Sequence, residues 1–160
     1  MKQLKTAWPW ILLSAILVVL DQLVKNWVQQ AIPLYGVKPF LPGLLELTYV
    51  QNTGAAFSIF REHTWILTLI SALASLIILV LLLRRALPGR LGQLALSLVL
   101  GGAVGNLIDR YFYGFVVDMF NLQFMNFAVF NVADIGISVG GVLLCVYVLF
   151  FWKKTEERAP

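Results

Sequence analysis

Three stretches of this sequence, Thr64–Leu83, Leu91–Ile108 and Ile135–Trp152, contain no charged residue. Each is close to the roughly 20 residues that a helix needs to cross a bilayer. A fourth run, Trp8–Leu20, is shorter and continues through Asp21 and Lys25 to Val28. With Lys2 and Lys5 ahead of it, this run also has the outline of a secretory signal peptide. An aspartate closes the apolar run, however, and no small-residue cleavage site follows, so a membrane helix is the better reading. Composition agrees: 60% of residues are hydrophobic and 12% charged, against about 45–50% and 25% in soluble domains. A soluble domain of this size could not hide that much apolar surface. We therefore expect one integral membrane domain over 1–160, with transmembrane helices at about 8–28, 64–83, 91–108 and 135–152.

The net charge of +4 suggests nucleic acid at first. The basic residues instead sit in short clusters between apolar runs, as membrane topology requires, so no nucleic-acid partner is expected. Lys2, Lys5, Arg84, Arg85, Arg90, Lys153, Lys154 and Arg158 fall on one side, and Lys38, Arg61 and Arg110 on the other. The positive-inside rule then makes both termini cytoplasmic and turns the segments 29–63 and 109–134 outward. In the first outer segment, Glu46–Gln51 and Ala56–Phe60 flank Asn52-Thr53-Gly54, which suggests a small hairpin or sheet. The second, Tyr111–Phe130, is rich in Phe and Tyr and is expected to form an interfacial helix.

Ionisable groups in or beside apolar helices are costly, and by default they are functional candidates. Asp21, Lys25, Asn106, Asp109, Arg110, Asp118 and Asp134 all fall toward the outer ends of their segments. Asp21 and Lys25 are four apart with the acid first, which predicts a structural ion pair. Asn131 and Asp134 together fit the start of a helix, as N-cap and first-turn acid. Asp118, set between Val116-Val117 and Met119-Phe120, has no such structural reading. The single histidine, His63, and single cysteine, Cys145, leave no multi-histidine metal site and no intramolecular disulfide, so no metal is expected. Gly136-Ile137-Ser138-Val139-Gly140 spells a nucleophile-elbow motif, but it lies inside a membrane helix with no histidine partner. These glycines, like Gly101 and Gly105, are spaced for close helix packing. A serine–lysine dyad through Lys25, an ion-coupled carrier and a purely structural bundle stay open as alternatives. The arrangement the residue inventory best supports is a carboxyl pair, Asp118 and Asp134, one protonated and one ionised, activating water.

At these residues the chain resembles the bacterial lipoprotein signal peptidases (signal peptidase II). Five motifs in order carry the resemblance: Asp21-Gln22-Leu23-Val24-Lys25; Asn52-Thr53-Gly54-Ala55-Ala56-Phe57; Gly101 to Arg110; Val116-Val117-Asp118; and Phe130-Asn131-Val132-Ala133-Asp134. The resemblance implies four transmembrane helices, a small extracytoplasmic β-sheet and an interfacial helix. It implies an aspartic endopeptidase of the bacterial inner membrane that cleaves diacylglyceryl-modified prolipoproteins before the lipidated cysteine. Asp118 and Asp134 take the catalytic positions, and Asn52, Gly54, Asn106, Asp109, Arg110 and Asn131 those that support the site or contact substrate. The expected partners are lipid-modified prolipoproteins and membrane lipid. The expected form is a monomer without a cofactor, with its site near the outer face.

Overall fold

The computed structural model describes residues 2–54 and 64–152. The extended run expected at Ala56–Phe60, together with Arg61, His63, Lys153, Lys154 and Arg158, lies outside the described residues. The elements follow in the order α1 (Lys2–Ala31), β1 (Val37–Leu41), β2 (Leu45–Asn52), α2 (Thr64–Arg84), α3 (Arg90–Tyr113), β3 (Val116–Leu122) and α4 (Val132–Phe150). Within them, Ala7–Ala31, Trp65–Arg84, Arg90–Tyr113 and Val132–Phe150 are long and apolar enough to cross a bilayer. These are the four spans that the uncharged runs predict.

The most buried of the four helices is α3, and it packs against the other three. The outer faces of α1, α2 and α4 carry large apolar side chains such as Leu12, Ile16, Leu73, Leu76 and Val142. Helices surrounded by hydrocarbon gain little from burying apolar surface on one another, so contact depends on close backbone approach at small residues. Gly102 and Gly105 provide it. A β-carbon at Gly102 would collide with the carbonyl oxygen of Ala133 in the first turn of α4, and one at Gly105 would come within 2.7 Å of Asp21 Oδ2. Both glycines therefore bring neighbouring helices to where the polar residues meet.

The three strands form one antiparallel sheet in the order β1-β2-β3. Val37 pairs with Thr48 across β1 and β2, and Val50 pairs with Asp118 across β2 and β3. Val28, Ile32, Leu47, Val117 and Met119 form a buried cluster that seats the sheet on the end of α1. Side chains alternate along a strand. Val117 and Met119 thus enter this cluster while Val116 and Asp118 line a cleft on the other side.

One expectation is corrected. Tyr111–Phe130 forms no interfacial helix; it holds the last turn of α3, then β3, then an irregular stretch leading to α4. Gly114 ends α3 in the left-handed conformation, at φ 75°, with its N–H bonded to Arg110 O. Beyond this stop, the β-branched pair Val116-Val117 suits a strand, and β2 offers a free edge to receive it.

Candidate active site

The site is built outward from Lys25. Its ammonium group has three N–H donors. They meet Asp21 Oδ2 at 2.8 Å, Asp109 Oδ2 at 2.9 Å and Asn106 Oδ1 at 3.0 Å. The two acids continue the network into other elements. Asp21 Oδ1 accepts the N–H of Ala133 at 2.8 Å, fixing α4 to α1. Asp109 Oδ2 also accepts the N–H of Val117 at 3.0 Å, fixing β3 to α3, while its Oδ1 takes a bond from Gln22 at 2.9 Å. Lys25, Asp21 and Asp109 are all buried. Desolvation of that kind is tolerable only where charges are paired and fully hydrogen-bonded, and here they are.

Two asparagines pass this order on to the carboxyl pair. Asn106 Oδ1 faces Lys25, so its Nδ2 is left to donate to Asp134 Oδ1, at 2.8 Å. Asn131 Nδ2 donates to Asp118 Oδ1 at 2.7 Å and to Asn106 Oδ1 at 3.1 Å. Asn131 is also the N-cap of α4, in a capping box with Asp134. Its side-chain oxygen accepts the Asp134 N–H, and Asp134 Oδ2 accepts the Asn131 N–H. The structural reading of Asp134 and its place beside Asp118 thus hold together: the cap is what orients the carboxyl. Asn52 completes the set from β2, donating to Asp118 Oδ2 at 2.8 Å, and its own oxygen accepts the Gly54 N–H at 3.0 Å.

Asp118 and Asp134 line one cleft of about 440 Å³. Asn52, Gly54, Asn106 and Arg110 share its polar side, while Phe127, Val129, Phe130, Ile135 and Val139 make the rest largely apolar. Burial pushes the Asp118 carboxyl up to about 7, and the neighbouring Asp134 charge adds to the effect. Hydrogen bonds from Asn52 and Asn131 and the more distant Lys25 charge oppose it. Four carboxyls (Asp21, Asp109, Asp118 and Asp134) stand against two cations (Lys25 and Arg110) in this region. A proton retained on Asp118 reduces that imbalance. Among the described residues, no group of three or more His, Cys, Asp or Glu is gathered as metal ligands would be.

Residues 13–150 match the sequence pattern of the family described as signal peptidase (SPase) II. The chain belongs to the signal peptidase II family. Its membership makes it a peptidase, and the four apolar helices make it a multi-pass membrane protein. It is 43% identical over 146 residues to a lipoprotein signal peptidase of Streptococcus pyogenes serotype M2, covering 91% of this chain and 94% of that protein. The serotype M5 counterpart is 42% identical over the same shares. A bacterial membrane enzyme solved by the in meso method at 2.3 Å superposes with a TM-score of 0.84 at 27% identity, over 94% of this chain and 92% of that one. A second, at 1.9 Å, gives 0.81 at 27% identity, over 89% and 94%.

The alternatives to a signal peptidase II reading fare poorly against the geometry. A serine–lysine dyad fails because every N–H of Lys25 is engaged by Asp21, Asp109 or Asn106. A carrier would spread ionisable groups through the bundle, whereas the buried ones described here gather at the sheet end. In the opposite half, Ser14, Gln93 and Ser97 bond to backbone carbonyls instead. Of the residues singled out in the sequence, Asp109 sits behind the cleft on Lys25, and Asn131 is wholly buried, reaching Asp118 from within. Two residues were given no role in the site. Gln22 belongs to the Asp21–Lys25 motif, and its polar side chain in an apolar helix was the available signal. Ser138, set aside with the nucleophile-elbow motif, lines the cleft, and its position four residues after Asp134 would have placed it on the same helix face.

Proposed function

We propose that this chain removes the signal peptide from diacylglyceryl-modified prolipoproteins, cutting just before the lipidated cysteine, through a water molecule activated between Asp118 and Asp134. The observation that carries the reading is the single cleft into which β3 delivers one carboxyl and α4 the other, with burial pushing the Asp118 carboxyl up to about 7. The names of the streptococcal relatives support the substrate class.

In this mechanism Asp134 is the carboxylate and takes a proton from water, whose oxygen then bonds to the scissile carbonyl carbon. Protonated Asp118 donates to the carbonyl oxygen as charge develops there. When the tetrahedral intermediate collapses, the C–N bond breaks, the proton on Asp134 passes to the leaving amine, and Asp118 recovers its proton from the hydroxyl. Asn52 and Asn106 hold the two carboxyls, Asn131 couples them, and the Gly54 amide fixes Asn52. Arg110, the one cation on the described cleft wall, is placed to meet substrate carbonyls. Lys25, Asp21 and Asp109 make up the frame behind them.

In this reading the protein is one monomeric membrane domain of the bacterial inner membrane, with both termini cytoplasmic and the sheet outside. A lipidated signal peptide, itself embedded, reaches the cleft sideways from the bilayer. The test is incubation of the purified full chain with a synthetic prolipopeptide, with and without its diacylglyceryl group. Mass spectrometry should find cleavage only of the lipidated form, at the bond before the modified cysteine. Cleavage elsewhere, or equal cleavage of both forms, contradicts the reading.

A further inference from the structure

Ser138 is the polar exception on the apolar wall of the cleft. It lies in α4 between Ile137 and Val139, all three on the cleft lining, and is exposed there. It lies four positions after Asp134, so the two share a helix face about 6 Å apart along the axis. Side chains on a helix tilt toward its N-terminus, which turns the Ser138 hydroxyl up the cleft toward the carboxyl pair. No described side chain or backbone group bonds to that hydroxyl beyond its own helix. A hydroxyl on a wall that faces hydrocarbon is unfavourable unless something accepts its proton. A serine on a helix can otherwise turn back to the carbonyl four residues before it, here that of Asp134. The hydroxyl has one proton to donate, so it makes either that bond or one to a ligand acceptor.

We propose that Ser138 recognises the lipid part of the substrate by donating a hydrogen bond to an ester carbonyl of the diacylglyceryl group. The inference rests on the lipoprotein reading above. With the scissile bond held between Asp118 and Asp134, the thioether-linked glycerol of the next residue hangs only a few bonds away. The acyl chains must run down the apolar wall into the bilayer, along Ile135 and Val139. Their ester groups are the last strong acceptors before plain hydrocarbon, and they pass the level one helical turn below Asp134. Ser138 supplies a donor at that level, and its neighbours on the wall, Ile137 and Val139, supply none.

The experiment uses the full chain in lipid and two prolipopeptides of the same sequence, one with ester-linked acyl chains and one with ether-linked alkyl chains. The ether form keeps the bulk and apolarity but lacks the carbonyls. The native chain should prefer the ester form in kcat/KM by roughly two- to tenfold, the range of one hydrogen bond, chiefly through KM. In Ser138→Ala this preference should collapse toward unity, and Ser138→Thr, which keeps a hydroxyl, should retain it. An ester preference that persists in Ser138→Ala, or its absence in the native chain, overturns the role of Ser138 while leaving the peptidase reading standing. Failure of the native chain to cleave either peptide removes both.

Discussion

Asp118 combines two demands that ordinarily conflict: it is buried, which favours the neutral acid, and it accepts hydrogen bonds from Asn52 and Asn131, which favour the carboxylate. Burial prevails, and the carboxyl stands at about 7. The direction of the pH dependence follows. A group that works protonated is lost as pH rises through its pKa, so kcat/KM should fall above about 7. Asn52→Leu removes a donor that stabilises the charged form, so the basic limb of whatever activity remains should move to higher pH; a limb that stays put or moves down would contradict this. Asp21 is fully buried between Lys25 and the Ala133 N–H. Asp21→Asn keeps the shape but weakens both bonds, while Asp109 still balances Lys25. A partial loss of stability, roughly 2–3 kcal/mol, is expected in thermal unfolding in detergent. A normally stable Asp21→Asn without turnover would instead assign Asp21 to the chemistry. The Asp21–Lys25 pair was legible because both partners lie on one helix. That Asp109 and Asn106 share the same ammonium was not, since this depends on how α3 crosses α1.

The four helices follow directly from the uncharged runs, and the glycine spacing correctly indicated close packing. Gly102 shows how packing serves the site, because its missing side chain lets Ala133, next to Asp134, approach α3. Gly102→Val should push the first turn of α4 away, cost about 1–3 kcal/mol of stability and lower activity with it. Unchanged unfolding temperature and activity would show that the contact is dispensable. The strand β3 was the element least legible in advance. Its sequence, Val-Val-Asp-Met-Phe-Asn-Leu, is apolar and aromatic enough for an interfacial helix. What selects the strand is remote: the stop at Gly114, the open edge of β2 and the Asp109 carboxylate that accepts the Val117 N–H. Only the strand's alternation can place Asp118 in the cleft while its neighbours Val117 and Met119 enter the core.

At the level of the molecule, polar and apolar residues are segregated along the bundle. The described sheet and the buried charges share one end, and the helices are largely apolar below it. Cysteine labelling tests the orientation proposed for that arrangement. In a Cys145→Ser background, which removes the one native cysteine, single cysteines at Lys38 and Asn126, both exposed, should react with an impermeant reagent added outside. Reaction only from the cytoplasmic side would reverse the topology and place the cleft on the wrong face for exported substrates. The carboxyl pair is tested most directly by kinetics on Asp118→Asn and Asp134→Asn, purified, with folding verified by thermal unfolding. Asparagine preserves shape and hydrogen-bonding capacity but cannot exchange the proton. Each change should lower kcat/KM on a lipidated prolipopeptide by roughly a thousandfold or more, and the double variant should be hardly worse than either single one. A folded Asp118→Asn or Asp134→Asn chain that cleaves within about tenfold of the native rate would contradict catalysis by this pair.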